Sequence, residues 1–97
     1  PPRGTTTLQT MKTMKTEIIE YIKSRYNQWE ESGRRRPEPN IGTETVCQEL
    51  GLRLMPYKTK RQIKNTISHI LEYTDELEGS IGVDDYSGRE CRVYNPK

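Results

Sequence analysis

The residues with the most chemistry to offer sit together near the middle of the chain. Lys60, Arg61, Lys64, Asn65 and Ser68 recur at steps of one and three, which places them on one face of a helix. On such a face the donor fork of Arg61 suits guanine N7 and O6, and Asn65 suits the edge of adenine. Lys60 and Lys64 suit phosphate oxygens. Arg53, Lys58 and Thr59 precede the face, where they and the free amides of a helix N-terminus would add phosphate contacts. Arg34, Arg35 and Arg36 form a second cationic group after Gly33. They suit a phosphate backbone or a minor groove, and equally a solvated basic loop.

The charge distribution supports a one-sided anionic partner. The net charge is +2. Residues 34–64 hold eight Lys/Arg against three Glu, whereas residues 65–97 hold three against seven Asp/Glu. Positive charge gathered in one stretch is the footprint of a polyanion-binding surface.

Catalysis has no comparable grouping. His69 is the single histidine and has no Ser/Asp arrangement around it in the pattern. Gly79 and Gly82 read as loop and hairpin glycines rather than a phosphate cradle. Asp84-Asp85 reads as a pair of solvated turn residues. Cys47 and Cys91 are too far apart in sequence for a CxxC unit, and two thiols with one His do not make a four-ligand zinc site. They are expected as two half-buried thiols. The expectation is a non-enzyme with no metal and no cofactor, in the cytoplasm, or in the nucleoid or nucleus. No apolar run approaches the ~20 residues of a membrane span, and no signal peptide is visible.

The elements that must hold the cationic face follow from periodicity. The mean hydropathy of −1.02 leaves few apolar residues, so each should have a packing role. Residues 1–12 read as a flexible leader or added residues, with Met11 and Met14 as candidate native starts. One domain is expected over residues 13–97. Residues 13–31 form an amphipathic helix along Met14, Ile18, Ile22, Arg25 and Trp29, ended by Gly33. Residues 40–41 form a short extended piece. Thr43 is the expected N-cap of a short helix ending at Gly51, with Leu52 folded back on it and residues 53–58 as a connector kept non-helical by Pro56. Thr59 and Gln62 form a capping box for a helix over residues 60–73, with Ile63, Ile67, Ile70 and Leu71 inward. The period then shortens to two over residues 81–85 and 90–94 around the turn at residues 85–88, a β-hairpin. The expected core adds Val46, Leu50, Ile81, Val83 and Val93 to these. Trp29 is placed in the core, Tyr57 over its edge, and His69 in a structural or surface role.

This order of elements resembles the winged helix-turn-helix superfamily from about Thr13 to Tyr94. The resemblance rests on the short helix Thr43-Glu44-Thr45-Val46-Cys47-Gln48-Glu49-Leu50-Gly51-Leu52. It rests also on Ile63, Ile67 and Ile70 followed by Ile81 and then Arg92-Val93-Tyr94. It implies an α+β fold of three helices with a small antiparallel sheet. It further implies binding of double-stranded DNA by a transcriptional regulator or by the DNA-binding module of a larger protein. The residues expected to carry the binding are Lys60, Arg61, Lys64, Asn65, Ser68, Thr59, Lys58, Arg53, Arg34, Arg35, Arg36 and Arg89. Two alternatives stand beside it: an accessory domain of a replication, helicase or recombination protein, and a winged helix that docks on another protein. Two carboxylates at the hairpin tip would repel phosphates, so the hairpin is expected to contribute little beyond Arg89.

Overall fold

The computed structural model describes the backbone from Arg3 to Lys97 and side chains from Thr13 onward. The first helix, α1 (Arg3–Glu31), starts ten residues before the expected point. Residues 3–12 lack apolar periodicity, yet their backbone continues the helix; Pro1 and Pro2 lie outside the described residues. Met14, Ile18, Ile19 and Ile22 bury one stripe of α1. A Schellman closure ends the helix. The Gly33 amide, at φ 74°, donates to Glu30 O, and the Arg34 amide donates to Trp29 O.

Strand β1 (Ile41–Gly42) leads directly into a second helical segment. Its α2 turn (Thr43–Val46) passes through a π-helical turn (Cys47–Gly51) into α3 (Leu52–Leu54), with no break between them. Two expectations are corrected here. Thr43 is inside the helix, and Gly42 is its N-cap. Gly51 is not a stop but a close approach: a Cβ there would meet Ile63 Cγ2 at 2.8 Å. The segment therefore runs on to Leu54, the connector shrinks to residues 55–59, and Leu52 points to solvent instead of folding back.

The third helical segment, α4 (Lys60–Tyr73), begins and ends where its pattern places it. Strands β2 (Leu77–Val83) and β3 (Glu90–Pro96) then form the hairpin, and the three-stranded antiparallel sheet has the order β1-β3-β2. Ile41 pairs with Tyr94, and Gly79 pairs with the same residue from the other side. The fold is α+β, with three helical segments on a small antiparallel sheet. Among the described residues no helix is long and apolar enough to cross a membrane.

Ile18, Ile22, Ile41, Val46, Ile67 and Leu71 are fully buried between helices and sheet. Each such side chain contributes about 1.5–3 kcal/mol relative to exposure. Val93, Leu50, Ile63 and Ile70 are buried as expected, while Ile41, Ile19, Met55, Leu77 and Tyr94 join the core unannounced. Ile81 and Val83 leave it, at 70% and 50% exposure. Their alternation is real, but the hairpin outruns the helices. Leu77 and Gly79 lie opposite Pro96 and Tyr94, whereas Ile81 and Val83 lie opposite Arg92 and Glu90. The Tyr94 hydroxyl donates to Glu72 of α4, and burial followed by that carboxylate pushes the phenol above its usual range.

Candidate nucleic-acid interface

The cationic face is set by how α4 starts. The Gln62 amide donates to Thr59 Oγ1 at 3.2 Å, and the Thr59 amide donates to Gln62 Oε1 at 3.0 Å. This reciprocal cap fixes the first turn and commits Thr59 to the helix end. With Ile63, Ile67, Ile70 and Leu71 turned inward, Lys60, Arg61, Lys64 and Asn65 are exposed and Ser68 is half-buried. Among the described residues the side chains of Lys58, Lys60, Arg61 and Asn65 have no hydrogen-bond or ion-pair partner. Lys64 differs. Its Nζ lies 2.8 Å from Glu44 Oε1, and the hydrogen bond and charge of Glu44 raise its pKa.

Two grooves flank α4. One lies against the second helical segment and is lined by Glu44, Gln48, Lys60, Arg61, Lys64 and Tyr86 among others. The other lies against β3 and is lined by Lys64, Ser68, Glu72, Arg89, Glu90 and Arg92 among others. Lys64 belongs to both, so they form one surface with the hairpin turn at its border. Arg92 is not free on it, because Nε is 3.0 Å from Glu72 Oε2.

The hairpin turn overturns the expectation of two solvated carboxylates for Asp84, while Asp85 stays exposed. Asp84 is 1% exposed. Its Oδ1 accepts from the Gly42 amide at 2.9 Å, the Thr45 amide at 3.2 Å and the Thr45 hydroxyl at 2.7 Å. Its Oδ2 accepts from the Tyr86 amide at 3.1 Å and the Ser87 amide at 2.7 Å. The carboxylate thus caps α2, whose own N-cap glycine has no side chain to do so, and ties that helix to the hairpin. Gly42 is required beside it, since a Cβ would lie 2.7 Å from Oδ1. Burial pushes the Asp84 carboxyl up, but the hydrogen bonds from Ser87 and Thr45 outweigh it and hold the pKa below the usual aspartate value. Asp85 is also engaged, accepting from the Asn40 amide at 3.1 Å and from Arg25 at 3.2 Å. The turn therefore offers Tyr86, 59% exposed, and Arg89 at its surface beside Asp85, which is exposed but paired.

The remaining expected residues divide sharply. Arg53 is joined to Glu17 of α1 at 2.7 Å, away from the α4 grooves. Arg34, Arg35 and Arg36 are all exposed, but Arg34 is held by Glu30 at 2.8 and 3.2 Å and lies over the Trp29 ring at 5.0 Å. Arg89 lines the β3-side groove. Trp29 is half-buried and clamps this loop instead of entering the core. Tyr57 is 98% exposed, so it does not cover the core edge. His69 is exposed and packs on Tyr73 with ring centroids 4.6 Å apart.

Sequence reasoning missed Glu44 and Tyr86. Glu44 lies twenty positions before Lys64, on a different helix, and no local spacing links them. Tyr86 was hidden by the turn signal around it. Cys47 and Cys91 are free and half-buried, as expected. Burial, then the neighbouring Glu44, pushes the Cys47 thiol up to about 11, and burial raises Cys91 as well, so both are poor nucleophiles at neutral pH. No family model, curated protein or solved structure matches the chain.

Proposed function

We propose that this chain is a winged helix-turn-helix domain that binds double-stranded DNA, as a transcriptional regulator or as the DNA-binding module of a larger protein. The observation that carries the reading is the contrast among its cations. Lys23, Arg25, Arg34, Arg53, Lys64 and Arg92 are each paired with a carboxylate. Among the described residues Lys58, Lys60 and Arg61, at the exposed start of α4, are not. Free cations beside an exposed Asn65 at the N-terminal end of a well-capped helix suit a major groove, which admits a helix and is read by the first turns.

In this reading Arg61 and Asn65 reach base edges, and Lys58 and Lys60 contact phosphates. Lys64 reaches phosphate by exchanging Glu44 for it, a small cost because exposed ion pairs are worth about 0–1 kcal/mol. Tyr86 and Arg89 of the hairpin turn flank the same surface. Asp84 is turned inward, which leaves Asp85 as the exposed carboxylate of the turn, so in this reading the hairpin contact comes from Tyr86 and Arg89.

The test is a titration of the full chain with a short duplex at low salt, followed by amide shifts. The amides of residues 59–68 should move. Arg61→Ala should weaken binding of a preferred duplex by about 1–3 kcal/mol and narrow its preference over other sequences. Unmoved amides over residues 59–68 would sink the reading. A protein-docking role is the second reading, favoured by Ile81 and Val83 exposed on one face of β2. It predicts no duplex response, and loss of partner capture on Ile81→Lys.

A further inference from the structure

We infer that residues 33–39 form a second, pre-organised site for nucleic-acid phosphates, with Arg35 and Arg36 as the binding groups and Trp29 as the residue that positions them. The inference rests on the duplex-binding reading above.

The composition of this segment, Gly-Arg-Arg-Arg-Pro-Glu-Pro, is that of a loose basic loop. Its structure is the opposite. Gly33 and Arg34 both take positive φ, 74° and 61°, and close the end of α1. The Arg34 guanidinium bonds both oxygens of Glu30 and lies over Trp29. Trp29 Nε1 donates to the Arg36 carbonyl at 2.8 Å, gripping the middle of the loop. The Tyr26 hydroxyl donates to the Pro39 carbonyl at 2.8 Å and fixes its far end. Tyr26 and Trp29 meet edge to face with centroids 6.2 Å apart. The backbone of the loop is thus held at its start, middle and end.

The hold sorts the three arginines. Arg34 is committed to the clamp. Arg35 and Arg36 are exposed and, among the described residues, their side chains have no hydrogen-bond or ion-pair partner. Glu38, the one acid of the loop, acts on Arg34 and on Tyr26. Two adjacent guanidinium groups on a fixed backbone suit phosphodiester oxygens, which they can meet with paired N–H donors. A fixed backbone also lowers the ordering cost of binding.

The location fits one continuous ligand. Four residues beyond Arg36, Asn40 exchanges backbone contacts with Asp85 of the hairpin turn. Four residues span at most about 14 Å. The next residue of that turn, Tyr86, lines the α4 groove with Lys60, Arg61 and Lys64. Arg35 and Arg36 therefore lie within a short reach of the hairpin turn that borders the α4 groove. A duplex seated on α4 and the turn would extend its backbone toward the loop.

Trp29 is the single tryptophan and touches the loop directly, so it reports on it. The experiment adds a 20-base-pair duplex to the full chain at low salt and follows the Trp29 indole N–H, its fluorescence and the amides of residues 59–68. It is repeated for Arg35→Ala with Arg36→Ala, and for Trp29→Phe. The expected result is that indole and α4 signals move together. The double variant should also lower the slope of log K against log salt by about two, since each phosphate contact contributes about 0.9. Trp29→Phe, with both arginines present, should weaken binding while a far-UV spectrum shows the helices intact. If the α4 amides move but the indole and the salt slope do not, the second site is wrong and duplex binding by α4 stands. Movement of the indole alone upholds the loop site as a phosphate site in its own right and overturns the α4 reading. If neither moves, both fall.

Discussion

Lys60-Arg61 and Asp84-Asp85 are each a pair of like charges in a polar stretch, and in sequence both look like solvated surface. In the structure they part. The cations have no hydrogen-bond or ion-pair partner among the described residues and stand at the mouth of a helix. Asp84 is buried under five donors, and Asp85 bridges Asn40 and Arg25. Charge alone does not decide where a side chain goes. A carboxylate can be drawn inside by backbone amides that a glycine cap and a tight turn leave without partners, and Gly42 and the turn at residues 85–88 leave several. A Lys has no such demand from a helix N-terminus, whose amides are donors like itself, so it stays in water.

The sharpest way to break this comparison is to remove Asp84. Asp84→Ala leaves the amides of Gly42, Thr45 and Ser87 short of an acceptor, with the Tyr86 amide keeping only Thr45 Oγ1, and should cost about 3–5 kcal/mol in urea unfolding, close to the whole stability of a small domain. Gly42→Ala attacks the same network from the other side. Its Cβ would meet Asp84 Oδ1 at 2.7 Å and the Arg92 carbonyl at 3.2 Å, and a loss of about 1–3 kcal/mol is expected.

Acidification tests the charge itself. The folded pKa of Asp84 is depressed, so its contribution is complete above the unfolded value of about 3.9 and drains away as pH falls from there through the folded value. Stability should therefore decline below about pH 4, and Asp84→Asn should flatten that part of the curve. The smallest effect belongs to the other pair. Lys60→Ala and Arg61→Ala should each change stability by less than about 0.5 kcal/mol, since they touch nothing inside, while both weaken duplex binding. A large stability loss there would show that the face is structural.

The helices of this fold could be read from the chain because their signals are local. The α4 capping box, its isoleucine stripe and the Gly33 stop each lie within a few residues of what they control. What escaped depends on distance along the chain. Gly51 looked like a helix end because its packing partner, Ile63, is twelve residues away. Ile81 and Val83 looked like core because alternation marks a face without saying how far the covering layer extends. The cationic face of α4 was visible in the sequence, but the pairing of Lys64 with Glu44 and of Arg53 with Glu17 was not. Those pairings shorten the list of cations free to bind.

The Asp84 cap has a consequence for the order in which the chain folds. The cap of α4 comes from residues three apart and can form as soon as that turn does. The cap of α2 comes from a residue 39 positions beyond Thr45, on a hairpin that must itself be closed and docked. Closing so long a loop is slow and entropically costly, and contacts of this separation form late in small domains. The two helices that sit side by side in the finished fold thus belong to different stages of its assembly: α4 is able to serve in an early nucleus, and the cap of α2 is completed only when the β2–β3 hairpin docks.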